Sequence, residues 1–459
     1  MLGTRHGIVR SALLIAALAV PGLCEEADGT AAIDKKPAST KGFAGYYPVS
    51  TVTDHSMIDK DVSDIADLKS SWVEAKKIYE NGKNSAKGTG LRNLKAFSSA
   101  FLDKSKQDEP MAKLGNAFWG RFDFGDALVS AALDGTDDAQ FGNFNTGEMA
   151  KQEDVRMQMV KKGVAFTVVW LYALHEMESA LDKYSKGKYD VASGAPYALD
   201  EAWVFYVGSI DDGTGSGQGP YSGAEKFAKK FGTYGYEMGT GGRSRVNAEL
   251  LYQFTAMQRY LQTAGNDEVI LQIAQCIRAQ FKVPLIQGCL SYAHQASAES
   301  MTDSETVPKI KAEAWAFCSA ILPSLHEVDP ASAEAVKKTV SINTAGRPNW
   351  VIVKKAFSTV NINKMGIKCE DVGLLGSAGY NFDAYAISPP YEKAELKKCS
   401  DDNTLISTNK YADSSMCATL KMPRCGNGVV CSSSASLSAM STFTFGSAVI
   451  CLLSLYSSR

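Results

Sequence analysis

The stretch Leu171–Tyr184, LYALHEMESALDKY, gathers side chains that can bind a cation or move a proton. His175, Glu176 and Glu178 fall within four positions, and Tyr172 lies one helical turn before them. Histidine is scarce, five in 459 residues, so an imidazole beside two carboxylates is informative. On a helix, positions i and i+3 share a face, which points His175 and Glu178 the same way. Imidazole with carboxylate is a donor set for iron, zinc or manganese. Inward-facing Glu and Glu-x-x-His ligands build di-iron centres in helical bundles. The competing reading of a lone His-x-x-Glu is a solvated helix end. Other chemistries lack their residues. HEMES fails the His-Glu-x-x-His zinc pattern because position 179 is serine, and there is no Gly-x-Ser-x-Gly elbow or Gly-Lys-Ser/Thr phosphate loop. GTGSGQG, without a strand before it and a helix after it, reads as a flexible loop. The expectation is a binding protein, not an enzyme.

Internal repetition says which elements must position these residues. One module occurs as AKKIYENGKNSAKGTGLRNLKAFS from Ala75, AVKKTVSINTAGRPNWVIVKKAFS from Ala335 and, more loosely, AKKFGTYGYEMGTGGRSRVNAELL from Ala228. Between the copies come two long apolar stretches, each with a histidine just after a Tyr-Ala step, His175 and His294. Each is followed by Glu-Ala-Trp-x-Phe, with Glu201 before Trp203 and Glu313 before Trp315. The histidines lie 119 residues apart and the glutamates 112. Apolar residues recur at three- and four-residue spacing, Val164, Val168, Leu171 and Leu174 among them, which predicts helices.

The fold class is therefore all-α: duplicated helical-bundle modules followed by a short disulfide-rich C-terminal segment. The divisions are 44–222 for the first unit, 223–330 for the second, and 331–431 for a partial third repeat with the cysteine-rich segment. Antiparallel packing of the two helices in the first unit would bring Glu201, and its neighbour Asp200, alongside His175 and Glu178. The second unit departs from the pattern. Gln295-Ala296-Ser297 follows His294, so Glu313, with Glu299, would have to supply the acid. His55 in TDHSMID and His326 in HEVD also lie beside acids.

Both ends read as processing signals. Basic Arg5, His6 and Arg10 precede an apolar core of about ten residues, with Gly22 and Cys24 at −3 and −1, so residues 1–24 form a secretory signal. Small residues around Ser432–Ser434, a polar spacer and an apolar tail make 432–459 a GPI-attachment signal. Cys276, Cys289, Cys318, Cys369, Cys399, Cys417, Cys425 and Cys431 remain, an even set suited to disulfides in an oxidising compartment. The net charge of −2 becomes about −5 without the two ends, and no basic patch argues for nucleic acid.

YYPVSTVTDHSMIDKDV, AKKIYENGKNS, LRNLKAFS, LYALHEMESAL, LDEAWVFYVGS and IKCEDVGLLGS together resemble the low-iron-inducible, iron-assimilation proteins of green algae and other marine microalgae, over roughly residues 44 to 430. The resemblance implies capture of Fe2+ or Fe3+ near the cell surface and delivery to a membrane iron transporter or ferroxidase. It assigns no ligand. A more distant similarity is to imelysin-like iron-uptake proteins, whose His-x-x-Glu His175 and Glu178 match, with Leu174 in place of the usual glycine. The alternatives are a metal-free cell-surface or wall-associated protein and, less favoured, a surface ferroxidase.

Overall fold

The computed structural model describes residues 42–211, 213–236, 243–300 and 302–375. Both terminal signals and Cys399, Cys417, Cys425 and Cys431 lie outside the described residues. Helices dominate, as the apolar spacing predicts. They are α1 (Thr53–Ser56), α2 (Ile58–Asp67), α3 (Trp72–Asn81), α4 (Leu94–Ser99), α5 (Pro110–Trp119), α6 (Phe124–Asp134) and α7 (Glu153–Gly163). There follow α8 (Trp170–Ser185), α9 (Ala195–Val207), α10 (Pro220–Phe231), α11 (Arg245–Tyr260), α12 (Asp267–Ala296) and α13 (Val307–Val328). Last come α14 (Pro330–Val340), α15 (Trp350–Ala356), α16 (Thr359–Lys364) and α17 (Cys369–Val372). The strands are three short antiparallel pairs: Ala86–Lys87 with Gly90–Leu91, Asp137–Asp138 with Gly142–Asn143, and Tyr234–Tyr236 with Arg243–Ser244.

The repeated Lys-Lys module runs from the end of one helix to the start of the next: α3–α4, α10–α11 and α14–α15. Each second helix starts at a polar cap that satisfies an orphan backbone N–H. Asn93 accepts from the Ala96 amide at 2.8 Å, Ser244 from Asn247 at 3.1 Å and Asn349 from Ile352 at 3.2 Å. The arginine before each cap reaches outward. Arg243 donates to the Ala44 carbonyl, and Arg347 donates to those of Ser297 and Thr302. Sequence comparison misses a fourth unit of this shape, α6–α7 around the middle hairpin, because it lacks the Lys-Ala-Phe-Ser signature.

Two helix pairs carry the rest. A π-helical turn, Val164–Val169, joins α7 to α8 as one buried run, apolar but for Thr167. Such a turn shifts the register of the faces before and after it. α8 packs on α9, and α12 packs on α13. Cys289 of α12 is bonded to Cys318 of α13, and Cys276 and Cys369 are also in disulfides. Gly288 lets α12 and α13 approach closely, since a Cβ there would lie 2.4 Å from the Phe317 ring. The two Glu-Ala-Trp indoles are used alike. Trp203 donates to the Phe43 carbonyl at 2.9 Å and Trp315 to that of Phe141 at 2.7 Å. Because α5 and α7 pack on α13, one continuous apolar core serves both pairs. By length and composition α12 could cross a membrane, but most of its side chains are buried among the neighbouring helices.

Candidate functional site

The first helix pair places two tyrosine-glutamate pairs opposite each other. Tyr172 and Glu176 are one turn apart on α8, and Tyr197 and Glu201 are one turn apart on α9. His55, on the short α1, closes the gap. Its Nε2 lies 2.7 Å from Glu201 Oε1 and 3.3 Å from the Tyr197 hydroxyl, and the Arg92 guanidinium contacts the same nitrogen. Aromatic rings wall the site. Phe97 stacks on Tyr172 at 3.8 Å between centroids, and Phe205 packs against Phe97, Tyr172 and His55.

The electrostatics are those of a site short of positive charge. Burial pushes the Glu176 carboxyl up to about 7; the negative charge of Glu201 adds to this, while His175 and the Tyr172 hydroxyl oppose it. Burial and the Glu176 charge hold the Tyr172 hydroxyl well above its usual range, and burial and Glu201 raise Tyr197. Two carboxylates and two phenols are hard oxygen donors, and His55 adds imidazole. Nδ1 of His55 is buried without a hydrogen-bond partner, a cost that a bound water or ligand would relieve. Among the described residues, no three His, Cys, Asp or Glu side chains stand close enough to one another to hold a metal. The tyrosines are therefore needed to complete any donor set here.

The other sequence candidates have partners of their own. His175 Nδ1 lies 2.7 Å from Glu109 Oε1, whose carboxyl is pushed up by burial and pulled back by His175. Glu178 accepts two bonds of 2.6 Å from Arg278 of α12. The expected meeting of His175 and Glu178 with Glu201 does not occur. The i, i+3 face is as the spacing predicts, but it turns toward Glu109 and Arg278, and the neighbouring face, with Tyr172 and Glu176, looks toward α9. Asp200 anchors a loop. It accepts from the Tyr46 hydroxyl at 2.5 Å, the Ser50 amide at 2.8 Å and Gln258 at 2.8 Å, and burial lifts it to about 6. His294 packs edge-on to Trp350 at 5.0 Å, with its basicity lowered by burial, and Glu313 faces Lys162 at 3.7 Å.

The sequence model of one family, described as low iron-inducible periplasmic protein, matches residues 23–383. The chain belongs to that family. No curated protein and no solved structure matches it. Membership in this low iron-inducible periplasmic family fits a secreted protein in iron metabolism. Of the candidates, the structure brings together Tyr172, Glu176 and Glu201 and adds His55, Tyr197 and Arg92. Tyr197 had a local signal, since Tyr four residues before Glu occurs on both helices. Arg92 had only its place ahead of a helix cap.

Proposed function

We propose that this protein captures iron outside the cell, in the pocket formed by His55, Tyr172, Glu176, Tyr197 and Glu201, and that it is a carrier, not an enzyme. The observation that carries the reading is the buried Glu176, held half-protonated near neutrality beside a second carboxylate, at a site also lined by two phenols and an imidazole. Such a group needs either a proton or a cation, since an unpaired buried carboxylate is expensive. Carboxylates and phenols favour Fe3+, and imidazole also serves Fe2+; zinc and manganese are the competitors. Arg92 would limit the negative charge of the empty pocket. A lipid tether at the C-terminal signal would keep the cargo at the membrane surface for a transporter or ferroxidase. Calorimetric titration of the purified protein with Fe2+ under anaerobic conditions, and with chelated Fe3+, tests the reading. Micromolar or tighter binding that weakens as pH falls below about 7, where Glu176 takes a proton, is expected. No heat from iron in either state would remove the proposal. Release from cells by a phosphatidylinositol-specific phospholipase tests the tether.

A further inference from the structure

The second helix pair keeps one corner of the first pocket. Tyr292 of α12, with Glu313 and Phe317 of α13, matches Tyr172, Glu201 and Phe205. Tyr292 hydrogen-bonds Glu313 and stacks on Phe317, with ring centroids 5.6 Å apart. The rest of the donor set is gone. Four residues past Tyr292 stands Ala296, where Tyr172 is followed by Glu176, and four residues before Glu313 stands Lys309, where Glu201 is preceded by Tyr197.

Lysines take over instead. Lys162 of α7 approaches Glu313 at 3.7 Å, and both side chains are largely covered, 13% and 14% exposed. From α10 come Lys226 and, one turn on, Lys230. Lys230 Nζ lies 3.3 Å from the Ser291 hydroxyl and 5.1 Å from the Tyr292 ring centroid. Lys162 thus pairs with the one carboxylate, and the charges of Lys230 and the exposed Lys226 lie close enough to act on that pair. Burial lowers Lys162 to about 8 and lowers Lys230 as well, and the nearby Lys226 charge pushes both further down. Glu313 offsets one of the three charges, and an anion between the lysines would offset the others.

We propose that the lysines gathered where α7 and α10 pack against the α12–α13 pair bind a small multivalent oxyanion, with Lys162, Lys226 and Lys230 supplying the charge. The inference is independent of the iron reading. It is tested by titrating the full chain, at low ionic strength, with inorganic phosphate, sulfate and citrate; the order of the three affinities distinguishes a phosphate-like from a polycarboxylate ligand. One anion per chain is expected. Its affinity should fall about tenfold in Lys162→Met or Lys230→Met, the loss of roughly one charge-assisted contact. It should fall further in Lys226→Glu, rise in Glu313→Gln and stay unchanged in Glu201→Gln. Lys226 is exposed, so its variant reports even if the buried ones fail to fold. No binding at millimolar anion, unchanged affinity in Lys226→Glu, or anion uptake that requires iron and disappears in His55→Ala, would overturn the proposal.

Discussion

The α8–α9 and α12–α13 pairs share a corner and differ in sign. Tyr172, Glu201 and Phe205 in one match Tyr292, Glu313 and Phe317 in the other. Around the first stand His55, Tyr197 and a second carboxylate, Glu176, with Arg92 touching His55 and Lys183 over the Tyr197 ring. Around the second stand Lys162, Lys226 and Lys230. The lesson is that a duplicated scaffold preserves what packs. The tyrosine, the phenylalanine and the Glu-Ala-Trp indole pack into the apolar core in both copies. Charge differs through Glu176 of α8, which has no counterpart on α12, and through residues from outside the pair, α1 and the α3–α4 connection in one case, α7 and α10 in the other.

That contrast can be broken in several ways. The largest effect belongs to His55→Ala with Glu201→Gln, expected to weaken iron binding about 100-fold, near 3 kcal/mol. Glu313→Gln should leave it within about threefold. Calorimetry of the three proteins decides whether the two glutamates have diverged.

Next is Glu178→Ala, which strands Arg278 and should cost about 2 kcal/mol of stability by denaturant melting with iron affinity intact. A loss of affinity without a loss of stability would return Glu178 to the ligand set.

Glu176→Gln sharpens the electrostatics. The folded carboxyl sits at about 7 against an ordinary 4.5, so its contribution to the metal-free protein is full below 4.5 and lost as pH rises to about 7. Above pH 7 the amide should stabilise the metal-free protein by about 1–2 kcal/mol, while weakening iron.

The smallest effect is on Lys162. Its folded value near 8 against 10.5 means that the folded protein gives up this proton first, so stability should rise with pH from about 8 toward 10.5. Lys162→Met should remove about 1 kcal/mol of that rise, read from thermal melts across the window.

Much of the fold was legible in sequence. Three- and four-residue spacing located α8, α9, α12 and α13, and the Glu-Ala-Trp repeat correctly paired the second helix of each unit. Tyr172, Glu176 and Glu201 were legible as candidates because the helix and its partner were. His175 and Glu178 misled for a physical reason. Helical spacing fixes which residues share a face but not what that face meets, and Arg278 and Glu109 are distant in sequence. His55 was visible only as a histidine near acids, because its contact with Glu201 spans most of the first unit. Lys162 carried no signal of its own in the sequence. Only packing against α13 sets it opposite Glu313.

The most direct test of a single cation pocket is the iron stoichiometry of the full chain, counted by metal analysis of the protein after saturation and gel filtration. One ion per chain, absent from His55→Ala with Glu201→Gln and retained by Glu313→Gln, is the expected outcome. Two ions per chain, or one ion lost with Glu313 and kept without Glu201, would show that the two pockets do not differ as described.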